Sequence, residues 1–340
     1  MTSIKAYIIL VNYNGSLDTI ECLESVLKSS YKNYQILVVD NSETDESISV
    51  FQDWSSGKIL SIETCFEHLV YPLEAKPIDA LFTSTDNLYS KKHDDKIIFV
   101  KSNKNRGFAA ANNILLKYVF NHGEEDSYIW LLNNDTVVEK DALANIVSKV
   151  KKDQDFNHKA IYGTPLIEYK EPNQIQAIGG IYNKNTGLTF HFGENNSKYD
   201  CKYDFESDNI VDYPVGASMI IHKQFLTKIG LMCEDYFLYF EELDWTQRAK
   251  NKGGWLKILD VFGIYHKQGF STKAKSNLKK TEFIDLTFLK SRIHFAKKFN
   301  NKNLTRVYLS IMTLTIARRI FQGNFRRIPK IIKIVFKKTL

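Results

Sequence analysis

Cysteine, proline and methionine are scarce in this 340-residue chain, at four, six and four residues. The cysteines, Cys22, Cys65, Cys201 and Cys233, form no CxxC pair and show no metal-ligand spacing. That argues against a zinc ribbon or a disulfide framework and for free thiols in a reducing cytoplasm. Long apolar runs are lacking too. Ala6 to Val11 is too short for a secretory leader and reads as a strand. Val307 to Ala317 falls short of the roughly 20 residues that a membrane span needs, and Arg318 and Arg319 close it. Acidic residues stop at Asp285. After it come 14 of the 46 Lys and Arg, so the preceding body holds 32 basic against 39 acidic groups. A basic tail points to phosphates or anionic lipid, and an acidic body argues against nucleic acid as the main partner.

Aromatic residues are plentiful at 13%, which suits both core packing and stacking on sugars or bases. The N-terminal half alternates strand and helix patterns. "AYIILVNYN", "YQILVVDNS", "KIIFVKSN" and "YIWLLNND" read as buried strands with polar ends. "SLDTIECLESVLKS" and "RGFAAANNILLKYVF" read as helices. The order predicts an α/β fold with a mostly parallel, doubly wound sheet, whose ligands sit beyond the carboxyl ends of the strands. Polar residues gather there: Asn12 to Asn14, Asp40 to Ser42, Asn103 to Gly107 and Asn133 to Asp135. Residues 51–96, with Pro72, Pro77 and "KKHDDK", fit this pattern poorly and read as an inserted excursion. Residues 163–213 read as short strands and turns, and the chain from Asn277 onward as basic and helical.

Four segments carry chemistry. "FLYFEELDWTQRAKNKGG" crowds Glu241, Glu242 and Asp244 at the start of a helix that Gly253 can stop. Carboxylates there either complement the helix dipole or supply a general base, since neighbouring carboxylates raise one another's pKa. Asp244 and Arg248, four apart, can pair, leaving Glu241 or Glu242 for a cleft. In "WLLNNDTVV", Asp135 ends a strand, either as a turn residue or as a ligand to a hard divalent cation completed by a diphosphate. His266, in "VFGIYHKQGFST", is either a structural histidine or a neutral imidazole ligand suited to Mn²⁺. The loop "KSNKNRGFAAANN" can present backbone N–H groups and Arg106 to a diphosphate, or serve as a plain turn around Gly107.

Taken together, residues 4 to 272 resemble the family 2 glycosyltransferases, especially the bacterial rhamnosyltransferase-like branch. "VNYNG", holding Val11, Asn12, Tyr13 and Asn14, is similar to the family's nucleotide-binding first strand end. "VVDNSETDES" is similar to its second, where Asp40, followed by Asn41 and Ser42, is expected to read a pyrimidine. "NKNRGFAAANN" matches the donor loop at Asn105, Gly107, Phe108 and Asn113. Ala110 and Ala111 replace glycines there. "LLNNDT", with Asn133 and Asn134, resembles the metal motif at Asp135. The segment from Gly216 through "EELDWTQR" resembles the base region, with Glu241, Glu242, Asp244 and Arg248 in the family's places. Gly216, Trp245 and Arg248 are expected to support the acceptor side. The base falls on Glu242 or Glu241, because the family's Asp is here Glu242, and Cys233 stands where the family usually has Asp. "YHKQGFST" matches the family's ending, with His266 as implied metal ligand.

The resemblance implies a GT-A-type catalytic domain over 1–272 and a basic helical region over 273–340. It implies an inverting transfer from dTDP-rhamnose or a UDP-sugar to a glycan or lipid-linked glycan, with Mg²⁺ or Mn²⁺ as cofactor. In "RRIPKIIKIVFKK", Ile328, Ile331, Ile332 and Val335 share one helical face and Lys330, Lys333 and Lys337 lie away from it. This pattern suits either an anionic membrane surface or packing on the body or a second subunit. The expected location is cytoplasmic, peripheral at the inner face of the plasma membrane, and a homo-oligomer is left open. Two other readings stand beside this one. A nucleotidyltransferase would want a Gly-rich, basic loop after the first strand, which "VNYNGSLDT" lacks. A non-catalytic nucleotide-sugar-binding protein would not need the Glu/Glu/Asp/Arg cluster.

Overall fold

A computed structural model describes residues 3–153, 158–206, 210–267 and 278–336. The elements run β1 (Lys5–Asn12), α1 (Ser16–Leu27), β2 (Tyr34–Asp40), α2 (Glu46–Ser55), α3 (Glu67–Val70), β3 (Ala80–Ser84), α4 (Thr85–Leu88), β4 (Ile97–Lys101), α5 (Phe108–His122), β5 (Ser127–Asn133), β6 (Thr136–Val138) and α6 (Ala142–Lys152). They continue as β7 (Ala160–Gly163), β8 (Leu166–Glu168), β9 (Ile175–Ala177), β10 (Gly179–Tyr182), β11 (Thr189–Phe192), β12 (Ser218–His222), α7 (Lys223–Ile229), α8 (Glu241–Asn251), β13 (Trp255–Ile258) and β14 (Ile264–His266). The C-terminal helices are α9 (Leu278–Phe299), α10 (Leu304–Ser310), α11 (Ile316–Phe321) and α12 (Ile328–Phe336).

Eight strands form the main sheet in the order β13-β7-β12-β5-β1-β2-β4-β3. All neighbours pair in parallel except β12, which runs against both β5 and β7. Strands covered on both faces are apolar at every position, which is why "YIILV" and "ILVV" show no alternation. Ile8, Leu10, Ile36 and Val38 face a core shared with Ile20, Leu23, Val26 and Ile146. Tyr7, Ile9, Leu37 and Val39 face the opposite core, shared with Leu115, Leu116 and Trp245. The reversal at β12 brings residues 216–218 back to the carboxyl end of β5, where Asn133 N donates to Ala217 O (3.0 Å). A smaller sheet, β6-β14-β8-β9, sits beyond that end and carries His266.

The stretch 51–96 is an excursion only in part. Its first residues complete α2 and bury Phe51 and Trp54 in the core. Residues 80–84 add the edge strand β3 to β4. Phe66, Leu69 and Val70 pack with Tyr169 and Tyr265 under the small sheet.

The C-terminal helices fold onto the body. Phe295 of α9 packs with Tyr182, Tyr236, Phe240 and Leu243. Ile331 of α12 is buried against Leu289 and Ile293 of α9, with Ile334 and Val335 beside it. The apolar stripe expected on α12 is thus largely spent on α9. Ile332 and Phe336 stay exposed, as do Phe321 and Phe325 just before the helix. Among the described residues no helix is long and apolar enough to cross a membrane.

Candidate active site

The carboxyl ends of β1, β2, β4 and β5 are tied together by side chains. Asn12, fully buried, donates to Asp40 Oδ1 (2.8 Å) and accepts from Thr19 Oγ1 (3.0 Å) and Gly15 N (3.2 Å). Asn134, past the end of β5, donates to the same Thr19 oxygen (2.8 Å). Ser42 Oγ donates to Asp40 Oδ1 (2.6 Å) and accepts from Asn14 N (2.9 Å). Asn41 donates to Asn105 Oδ1 (2.9 Å), which also accepts from Gly107 N (3.0 Å). Tyr13 and Asn14 stay exposed at this edge and Val11 is half-buried, so the rim of the network is open to a ligand.

Gly107 has φ +95° and ψ −178°, a conformation essentially reserved for glycine. Its backbone lies so close to Phe237 that an added Cβ would fall 2.1 Å from the Phe237 carbonyl oxygen. The loop around Gly107 and the segment leading into α8 therefore touch directly.

Asp135 and His266 converge at the junction of the two sheets. His266 Nε2 lies 3.1 Å from Asp135 Oδ1 and 3.3 Å from Asn133 Nδ2, and both His266 and Asp135 are buried. Nδ1 faces Gln176 Oε1 (2.6 Å), and Gln176 Nε2 donates to the His266 carbonyl oxygen (3.1 Å). An amide oxygen can only accept, so it holds a proton on Nδ1 and fixes the ring with Nε2 facing Asp135. Burial works to raise the Asp135 carboxyl, but His266 and then Lys267 outweigh it and hold it below its ordinary value. A carboxylate and an imidazole nitrogen at this spacing fit a divalent cation whose remaining ligands come from a substrate. Among the described residues no third His, Cys, Asp or Glu joins them.

The glutamate pair sits across the Gly216–Ala217 segment. Tyr239 and Phe240 enter α8 with φ of 69° and 73°, two consecutive left-handed residues that cost about 1–3 kcal/mol each. This kink directs Glu241 and Glu242 inward. Glu242 lies 3.9 Å from where a Cβ on Gly216 would be, while Ala217, the next residue, holds Asn133. One short strand entry therefore carries both the glutamates and the strand end that leads to Asp135. Glu241 is almost fully buried and Glu242 half-buried, and each has a buried oxygen with no hydrogen-bond partner. Burial pushes Glu242 up to about 7. Burial, then the charge of Glu242, push Glu241 well above the carboxylate range.

The glycosyl transferase family 2 model matches residues 7–65 and 84–229, more than half of the chain. The chain belongs to glycosyl transferase family 2. Its relatives include the low-salt glycan biosynthesis hexosyltransferase Agl10 of Haloferax volcanii, 24% identical over 263 residues, or 73% of this chain and 79% of that one. Rhamnosyltransferase WbbL of Escherichia coli K12 is 25% identical over 166 residues, covering 47% of this chain and 60% of WbbL. Two crystal structures of S. aureus TarS also match. One is at TM-score 0.45 and 13% identity, over 88% of this chain and 45% of that one. The other, TarS 1-349 in complex with UDP, is at TM-score 0.48 and 11% identity, over 97% and 79%. Neither adds to the reading of the fold at that level of likeness. The body of this family 2 glycosyltransferase has the α/β architecture and mostly parallel sheet expected from its alternating strands and helices.

Within this glycosyltransferase, several expected site residues are engaged by the protein's own groups. Asp40 is buried, and both of its oxygens are engaged, Oδ2 by Lys101 Nζ (2.9 Å). It ties the loop after β2 to β1 and β4. Asn113 joins α5 to Met232 N (3.0 Å), Met232 O (2.9 Å) and Glu234 (2.9 Å). Arg106 pairs with Glu234 (3.0 Å). Asp244 is fully buried, accepting from Arg248 Nε (2.8 Å), Lys298 Nζ (2.6 Å) and the Tyr236 hydroxyl (3.1 Å). Arg248 spends its other nitrogens on the carbonyl oxygens of Ile229 and Leu231, both at 2.7 Å. Trp245, expected on the acceptor side, lies in the core and donates to Gly230 O (2.8 Å). Asp244, Trp245 and Arg248 thus anchor α8 to the preceding loop and to α9. Two cavities, of about 280 and 400 Å³, are lined by other residues, among them Trp255 and Lys257.

Sequence reasoning missed Gln176, Lys101 and the Tyr239–Phe240 kink. Lys101 closes the strand "IIFVK", and its charge at a strand end was a usable signal. Gln176 and the kink had none, since neither glutamine nor two aromatics announce a second layer or a left-handed turn.

Proposed function

We propose that this protein is an inverting hexosyltransferase that moves a sugar from a nucleoside-diphosphate donor, dTDP-rhamnose or a UDP-sugar, to a hydroxyl of a glycan or lipid-linked glycan. The observation that carries the proposal is the buried glutamate pair held against Gly216–Ala217, whose other neighbour is the Asn133–Asp135 strand end. In a coupled pair one proton is shared at neutral pH. Glu241, the more buried, keeps it; Glu242, half-buried and raised to about 7, is the base. Glu242 takes the proton of the acceptor hydroxyl. That oxygen forms its bond to the anomeric carbon as the bond to the diphosphate oxygen breaks on the opposite face, so the configuration inverts.

Asp135 and His266 would hold Mg²⁺ or Mn²⁺, which when bound neutralises charge on the leaving diphosphate. Gln176 orients His266 for that task. Val11, Tyr13, Asn14, Asn133 and the loop from Asn105 to Gly107 form the donor rim, shaped from beneath by Asn12, Asp40, Ser42 and Lys101. Residues 1–272 make the catalytic domain. Nucleoside-diphosphate release from a panel of nucleotide sugars with Mn²⁺ tests the proposal. Release that needs the metal and is lost in Glu242→Gln supports it. Consumption of a nucleoside triphosphate instead would make the chain a nucleotidyltransferase.

The C-terminal region, 273–340, is proposed to lie on anionic lipid at the cytoplasmic face of the membrane. What supports this is the exposure of Phe321, Phe325 and Phe336 alongside the exposed cations Arg318, Arg326, Lys330 and Lys333. Cations near an anionic surface are worth about 1 kcal/mol each and a buried ring about 1.5–3 kcal/mol. Phe321→Ser/Phe325→Ser/Phe336→Ser should lose most of its sedimentation with vesicles rich in anionic lipid; unchanged sedimentation would reject this part.

A further inference from the structure

A second set of metal-ligating groups lies outside the proposed active site, where the loop before α8 meets α9. Cys233 Sγ is 3.6 Å from Asp235 Oδ2, and His294 Nε2 is 3.7 Å from the same oxygen. All three ligand atoms lie within 4.8 Å of one another. Tetrahedral Zn²⁺ with Zn–S near 2.3 Å and Zn–N or Zn–O near 2.1 Å has ligand-to-ligand edges of roughly 3.5 Å. Two of the three edges already have that length. His294 Nε2 is buried and donates to or accepts from no hydrogen-bond partner, although the ring packs edge-on to Tyr236 at 4.8 Å. A buried nitrogen with nothing to bond, aimed at a carboxylate and a thiol, is otherwise a cost without a return.

We propose that Cys233, Asp235 and His294 bind one thiophilic divalent cation of the Zn²⁺ class, with water completing the tetrahedron on the exposed Asp235 side. Burial lowers the His294 pKa, which keeps the lone pair available. Burial raises the Cys233 thiol, and Lys298 Nζ, 3.6 Å from its Sγ, only partly offsets this, so the ion itself must displace the thiol proton as it binds. The soft sulfur selects Zn²⁺ over Mg²⁺, so the site is chemically separate from the oxygen-rich locus at Asp135. Its effect follows from what it joins. The loop that holds Cys233 and Asp235 also holds Phe237, whose carbonyl oxygen accepts from Phe108 N (3.0 Å), and the Tyr239–Phe240 kink. Anchoring it to α9 locks the entry of α8. The ion is therefore a staple between the catalytic body and the C-terminal helices, not a participant in transfer.

The test is titration of the full chain with Co²⁺ and Zn²⁺. One equivalent of Co²⁺ should produce the sulfur-to-cobalt charge-transfer band of a tetrahedral thiolate site, and Zn²⁺ should abolish it and raise Tm. Cys233→Ser should remove the band. His294→Gln should weaken Zn²⁺ binding by roughly tenfold or more, since even outer-shell partners are worth that much. His266→Gln should leave the band intact. No band in the unmodified chain would overturn the proposal. So would a band that survives in Cys233→Ser, which would place the metal on Cys65 or Cys201, or one lost in His266→Gln.

Discussion

Replacing Gly107 by alanine should damage this protein far more than replacing Gly216. At Gly107 two costs add. Its φ of +95° with ψ near 180° is a region that a side-chain-bearing residue enters only at about 1–3 kcal/mol. The new methyl would also lie 2.1 Å from Phe237 O and 2.7 Å from Phe237 C and Cα. Those are backbone atoms that cannot rotate aside, and overpacking of this kind costs about 1–3 kcal/mol. The sum, about 2–6 kcal/mol, corresponds at roughly 2 °C per kcal/mol to a Tm lower by about 4–12 °C. At Gly216 the nearest atoms to an added Cβ are at 3.9 Å, ordinary contact distance, and φ is not left-handed, so Gly216→Ala should melt within about 1 °C of the parent. Thermal unfolding followed by circular dichroism reads both. Because Phe237 leads into the kink before Glu241, Gly107→Ala should also lower turnover at temperatures where it remains folded. Equal melting temperatures for the two variants would refute the contact between the donor loop and the α8 entry.

Other outcomes follow from the same contacts. Asp244→Asn should lower the urea midpoint, by about 2–3 kcal/mol at constant slope; the usual cost of breaking a buried pair is reduced here because Arg248 and Lys298 are 24% and 34% exposed. An unchanged midpoint would mean that Asp244 does not anchor α8. Gln176→Leu should raise the Mn²⁺ concentration for half-maximal activity by roughly 10–100-fold while sparing the rate at saturating metal; an unaltered metal requirement would count against its role in orienting His266.

Much of the fold was legible because a buried parallel strand leaves a short apolar run and a polar end. β1, β2, β4 and β5 all do so, and their ends are the ones joined by Asn12, Asp40, Asn105 and Asn134. The edge strand β3 was hidden, since "ALFTS" is half-buried and lies among prolines and charges that read as loop. Side-chain direction was less legible still. Asn113 shares a motif with donor-loop residues, yet one helical turn carries it to Met232. The stripe on α12 could not say whether lipid or protein covers it, because both demand the same periodicity; α9 takes Ile331, while Phe321, Phe325 and Phe336 stay exposed. Cys233 and His294 lie 61 positions apart in the chain, too far for any ligand-spacing rule.

The role of Glu242 is tested most directly by the pH dependence of kcat/KM in the unmodified protein and in Glu242→Gln. A carboxyl raised by burial to about 7 must lose its proton to act, so the rate should climb through that pH. Stability moves the other way: the contribution of a raised carboxyl is complete below its ordinary value of 4.5 and disappears as pH rises through about 7. Glu242→Gln should therefore cost roughly 10²–10⁴ in rate, erase the ascending limb and lessen the fall in Tm between acidic and neutral pH. A glutamine variant that keeps the limb, or stays within roughly tenfold of the parent rate, would contradict the assignment of Glu242 as base.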